Sequence, residues 1–142
     1  MSKNAEFTSK LRSSGLRPTK QRLKICEVLF DRNDTFHFTI NELAKKISEK
    51  LNEKISLATV YNTVHAFKDK GYLKEISINS DNSYFDTNIT NHHHFYDEDT
   101  NELIDCGDEI IETPKIKKNI TEKKISSIEV LVKVASDNQN QN

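Results

Sequence analysis

Three consecutive histidines, His92-His93-His94, are followed by Phe95 and Tyr96 in the most acidic part of the chain. From Asp86 to Thr113 there are nine acidic residues, three histidines and no Lys or Arg. Neutral imidazoles and carboxylates ligate divalent transition metals, and an imidazole is also an axial ligand for haem iron. Spacing limits what the run can do. In an extended strand, successive side chains point to opposite faces. Three neighbouring histidines then cannot all hold one ion, and at least one is left for a second site, a dimer contact or solvent. Cys26 and Cys106 are far apart and neither belongs to a C-x-x-C pair, which excludes a Cys-rich structural zinc site.

The histidine run needs a scaffold. A strand from about His94 to Tyr96 can turn at Asp99-Thr100-Asn101 and return through Leu103 and Ile104. Thr113-Pro114 has the form of an N-cap and first helical turn, continued by Ile116 and Ile120. Ile128 to Val134 is an apolar final strand. Strand–strand–helix–strand makes a small α/β unit. It has so few apolar residues that its sheet is expected to bury itself against a second copy, giving a homodimer.

The first half reads differently. Residues 56–70 predict a helix capped by Ser56 and stopped by Gly71. Val60, Val64 and Phe67 form its inner stripe. Its outer face carries Thr59, Tyr61, Asn62 and His65, groups that hydrogen-bond or stack and suit the edges of a major groove. Two short strands follow, Lys74–Ile78 and Ser83–Thr87, joined by the turn cluster Asn79-Ser80-Asp81-Asn82. A helix followed at once by a two-stranded ribbon is the winged form of helix-turn-helix. Upstream, Thr39 and Glu42 fit a capping box opening a helix with Leu43, Ile47 and Leu51 on one side. Another helix is expected from Lys20 to about Arg32, capped by Thr19, with Leu23, Cys26 and Phe30 inward, and a weaker one from Asn4 to Ser14.

Charge divides the chain at the same place. Residues 1–85 hold 15 Lys and Arg against 10 Asp and Glu, while residues 86–142 hold 6 against 12. A basic half beside a winged-helix pattern points to double-stranded DNA, with Lys20 and Arg22 near phosphates and Thr59, Tyr61 and Asn62 near bases. No stretch approaches the roughly 20 apolar residues a membrane helix needs. No apolar signal region is seen at the N-terminus, so the protein is expected in the cytoplasm, without a membrane partner. The expected fold is α+β: a winged helix-turn-helix over residues 1–85, a small α/β dimerisation domain over 86–135 and a disordered tail over 136–142.

These features together resemble the ferric uptake regulator family. The matching stretches are GLRPTKQRLKI at 15–25, HFTINEL at 37–43, SLATVYNTV at 56–64 and HHHFY at 92–96. Histidines followed by aromatics, without C-x-x-C, most resemble the iron response regulator branch, whose members sense iron through haem. The resemblance implies a transcriptional regulator of iron or haem homeostasis, not an enzyme, bound as a dimer to a pseudo-palindromic operator. It implies a regulatory metal site drawn from His37, Asp86, His93, His94 and Asp105. Tyr96 stands where another histidine ligand is usual, which favours haem held through His92, His93 or His94. In that branch the iron-poor protein binds DNA and haem switches it off. The family alternative is an Fe(II)- or Mn(II)-activated repressor or a peroxide sensor; Zn(II) is a further candidate ion. A small metalloenzyme built on His37, Asp86 and His94 lacks any hydrolase signature.

Overall fold

A computed structural model describes residues 2–137. The chain divides into two compact units, one up to Ile89 and one from Thr90 onward. The sequence placed the division after Phe85. The first unit runs further because Thr87 is still fastened to it: its backbone N–H donates to the Phe36 carbonyl (3.0 Å) and its hydroxyl accepts from the Phe36 N–H (3.0 Å).

Four helices build the first unit: α1 (Lys3–Ser13), α2 (Lys20–Phe30), α3 (Ile40–Leu51) and α4 (Leu57–Lys70). Each starts at a side-chain cap. Ser2, Thr19, Thr39 and Ser56 accept from backbone N–H groups that a first turn would otherwise leave unpaired. At α3 the box is reciprocal, because the Glu42 carboxylate also accepts from the Thr39 N–H (3.1 Å). Helix α4 ends at Gly71, whose φ of 89° an L side chain would resist. The core is the meeting of the inner stripes: Leu11, Ile25, Leu29, Leu43, Ile47, Val60, Val64 and Phe67 are all buried.

A three-stranded antiparallel sheet completes this unit. Strands β1 (His37–Phe38), β2 (Lys74–Ser77) and β3 (Ser83–Asp86) lie in the order β1-β3-β2. The turn between β2 and β3 is built by Asn79, whose Oδ1 accepts from the N–H groups of Asp81 and Asn82 at 3.0 Å. The ribbon follows α4 directly, as the sequence predicts.

The second unit holds β4 (His93–Asp97), β5 (Glu102–Cys106) and β6 (Leu131–Val134) in the order β5-β4-β6. Strands β4 and β5 form an antiparallel hairpin around Asn101, whose φ is 60°. Strand β6 joins β4 in parallel. The helix expected from Thr113 is not formed, and no helix occurs in this unit among the described residues. The Thr113 hydroxyl, the would-be cap, instead lies 3.0 Å from His93 Nε2 and donates to Asp108 (3.4 Å). Lys115, Lys117 and Lys118 would have crowded the positive end of the helix dipole. Asn119 takes up local backbone instead, accepting from the Ile120 N–H and donating to the Lys123 carbonyl. Ile116 and Ile120 are exposed, so no buried face drives a helix there.

The tail expected from residue 136 begins with an anchored residue. The Ser136 N–H and hydroxyl both donate to Asp99 Oδ2, the former over 2.6 Å. The rest of the expected disorder, over 138–142, lies outside the described residues.

Candidate metal centre and nucleic-acid face

Strand alternation sorts the three histidines. His94 lies opposite Asp105 in the β4–β5 ladder. Its Nε2 is 3.0 Å from Asp105 Oδ1, and His92 Nε2 is 3.6 Å from the same oxygen. The two rings stand 4.4 Å apart. Ligand atoms from His92, His94 and Asp105 all lie within 4.8 Å of one another. His92 Nδ1 is 2.8 Å from the Thr90 carbonyl oxygen. A carbonyl can only accept, so Nδ1 carries the proton and Nε2 of the neutral ring carries the lone pair, the arrangement a metal-binding imidazole needs. Two imidazoles and a carboxylate are a donor set for Fe(II), Mn(II) or Zn(II).

His93 faces the other way. Its Nδ1 accepts from the Val130 N–H (3.0 Å), so Nε2 carries the proton donated to Thr113 Oγ1 (3.0 Å). With both nitrogens used and the residue buried, His93 fastens the segment before β6 to β4 and stands apart from the cluster. His92, which the resemblance offered only as a haem ligand, belongs with His94. The sequence signal for this was their i, i+2 spacing. His37 and Asp86 lie in the first unit, opposite each other in the β1–β3 register. The His37 ring is edge-on to Tyr84, and the buried Asp86 carboxylate accepts from the Asn88 N–H (2.8 Å).

Neither cysteine is prepared for thiolate chemistry. Burial pushes the Cys26 thiol up to about 12, as befits a core residue. Burial, then the charges of Asp105 and Glu109, raises the Cys106 thiol as well.

Helix α4 presents Tyr61 and Asn62 to solvent, Tyr61 at 52% exposure. Thr59 is half-buried, with its hydroxyl 2.8 Å from that of Ser56. Lys20 is exposed and only loosely paired, 3.8 Å from Glu53. Arg22 is half-buried and donates through Nη1 to the Arg17 carbonyl (3.0 Å), shaping the entry to α2. Lys68 on α4 meets Glu75 on β2 at 3.1 Å. Burial raises the Glu75 carboxyl, but hydrogen bonds with Ser83 and Lys68 and the Lys68 charge outweigh it, and the group sits below the usual carboxylate range. Sequence periodicity did not reveal this bridge, because it depends on how the ribbon folds back along the helix.

The sequence profile described as the ferric uptake regulator family matches residues 13–134. The peroxide-responsive repressor PerR of Staphylococcus epidermidis is 36% identical over 100 residues, covering 70% of this chain and 65% of that repressor's own length. The ferric uptake regulation protein of Vibrio anguillarum is 38% identical over 103 residues, covering 72% and 68%. Among solved structures, the Vibrio cholerae ferric uptake regulator superposes with a TM-score of 0.65 at 26% identity, covering 91% of this chain and 98% of that one. The chain belongs to the ferric uptake regulator family. These matches support the family without selecting the iron response regulator branch within it.

Proposed function

We propose that the protein is a dimeric, DNA-binding transcriptional regulator, and not an enzyme, whose affinity for an operator is set by a divalent metal ion. The observation that carries this reading is the convergence of His92, His94 and Asp105, with the His92 tautomer fixed by Thr90. The names of the similar relatives, a peroxide-responsive repressor and a ferric uptake regulation protein, support it. A metal-binding role for His37 and Asp86, in the first unit, rests on the family resemblance alone. Helix α4 would enter a major groove, with Tyr61 and Asn62 toward base edges and Thr59 at the margin. Lys20 would meet phosphate, while Arg22 holds the turn that presents it. A regulator of this kind acts in the cytoplasm.

The haem reading gains less from the site. Haem iron needs an imidazole nitrogen offered to an open face. Both nitrogens of His93 are used, and the Nε2 atoms of His94 and His92 face the Asp105 carboxylate, at 3.0 and 3.6 Å. The metal reading therefore takes precedence over the iron response regulator reading. The bound ion supplies positive charge that joins three side chains, and linkage lets that occupancy bias DNA affinity if the ion prefers the DNA-bound arrangement.

The test uses chelator-stripped protein and a duplex enriched by the wild-type protein from a randomised pool. Mn(II) or Fe(II) should restore binding to wild type and fail to restore it to His92→Ala or His94→Ala. A response to haem alone would install the haem reading instead. A loss of binding with Fe(II) plus peroxide, but not with Mn(II) plus peroxide, would select the peroxide-sensing form of the metal reading. Indifference to every one of these additions would remove the site from the function.

A further inference from the structure

His65 joins the outer face of α4 to the core of the wing. It lies one turn after Tyr61, and the two rings stack with centroids 4.0 Å apart and planes inclined by 32°. The same imidazole meets Phe85 of β3 edge-on, at 5.3 Å and 74°. Phe85 is buried and stacks in turn with Phe38 of β1 at 6.1 Å. The exposed Tyr61 ring thus rests on an aromatic column that ends in the core of the first unit. His65 itself is only half-buried and lies off the Val60–Val64–Phe67 stripe that holds α4 in place.

An exposed tyrosine on a helix ordinarily samples more than one rotamer. A stacked neighbour four residues on favours one of them. A ring already ordered before DNA arrives loses less freedom on binding. Resting on the reading of α4 as the DNA-reading helix, we propose that His65 is a positioning residue for sequence recognition: it holds the Tyr61 ring in the orientation presented to a base edge and fixes that orientation relative to the wing through Phe85. The role belongs to the ring. A phenyl group at this position should therefore serve, and a polar side chain without a ring should not.

The test compares the full-length wild type with Tyr61→Ala, His65→Gln and His65→Phe, each loaded with Mn(II). The probes are a duplex enriched by the wild type from a randomised pool and a scrambled duplex of equal composition. Proton NMR of the free proteins follows the Tyr61 ring, whose resonances a stacked neighbour displaces. His65→Gln should bind the enriched duplex roughly three- to tenfold more weakly, the loss of one aromatic pair. It should bind the scrambled duplex as wild type does and lose the displaced resonances. His65→Phe should restore both, and the double variant Tyr61→Ala/His65→Gln should bind no worse than Tyr61→Ala. Wild-type discrimination in His65→Gln beside a weakened Tyr61→Ala would overturn the proposal and leave α4 as the reader. So would a His65→Phe variant that keeps the displaced Tyr61 resonances yet fails to discriminate. A Tyr61→Ala protein that reads the enriched duplex as well as wild type would remove the α4 reading and the positioning role together.

Discussion

Replacing Asp105 by Asn should separate the metal centre from ordinary surface electrostatics. The Asp105 carboxylate is 48% exposed in its approach to His94. So open a pair contributes only about 0–1 kcal/mol, so the metal-free variant should melt close to wild type. With metal the balance changes. At free metal 100 times its dissociation constant, binding stabilises the folded protein by about 2.7 kcal/mol. Asp105 is the one anion among the three side chains that converge in the second unit. Even loss of a partner behind a ligand weakens metal sites by about 10–100-fold. Taking the upper figure for a direct ligand, the same metal concentration now equals the dissociation constant, and the stabilisation falls to about 0.4 kcal/mol. For a small domain 1 kcal/mol moves the midpoint by about 4–8 °C. Calorimetric melts should therefore show wild type rising by roughly 10–20 °C on Mn(II) addition and the variant by about 2–3 °C. Equal shifts in the two proteins would refute Asp105 as a ligand. His93→Ala is the contrast: it should lower the metal-free midpoint, because two buried hydrogen bonds are lost, yet keep the full Mn(II) shift.

Phe67 is fully buried between the Phe30 and Tyr72 rings, at 5.5 and 6.1 Å, so Phe67→Ala should cost about 3–5 kcal/mol in urea denaturation of the first unit. Glu75, held below the usual carboxylate range, contributes stability that is present above its unfolded value near pH 4 and lost as pH falls through the lower folded value. Protection factors of the β3 amides, corrected for intrinsic exchange, should then fall in acid in wild type, with a weaker dependence in Lys68→Met. Lys20→Ala should weaken binding to all duplexes alike and flatten the log–log salt slope by roughly 0.9 if one phosphate contact is lost; a loss confined to one sequence would show that Lys20 reads bases.

The first unit was largely legible because its signals are local. Thr19, Thr39 and Ser56 cap the helices they were expected to cap, and Gly71 stops α4. The wing ribbon follows from alternation and from Asn79 at its turn. The same kind of signal failed at Thr113-Pro114. There the hydroxyl answers to His93, twenty positions earlier in the chain, and a cap motif carries no information about such a competitor. The separation of His93 from His92 and His94 was implicit in strand geometry. Asp105 was reachable only through the family resemblance, because which residue faces His94 depends on hairpin register, set here by the turn at Asn101. The column from Tyr61 through His65 to Phe85 is invisible along the chain, since it needs β3 to fold back against α4.

The parallel pairing of β6 with β4 has a kinetic consequence. The hairpin of β4 and β5 closes over a few residues, whereas β6 must return across residues 107–130 to reach its place. Closing a longer loop costs additional chain entropy, and pairings distant in sequence form slowly. No helix shortens this path among the described residues, so little local structure guides the return. The last strand is held at one end by Val130, bonded to both the His93 ring and the His94 backbone, and at the other by the Glu98 N–H on Val134. Folding of this unit therefore has a natural order, in which a preformed hairpin waits for its third strand. Strand β6 is paired on one side only, so an opening that retraced this order would free it before the ladder that carries His94 and Asp105.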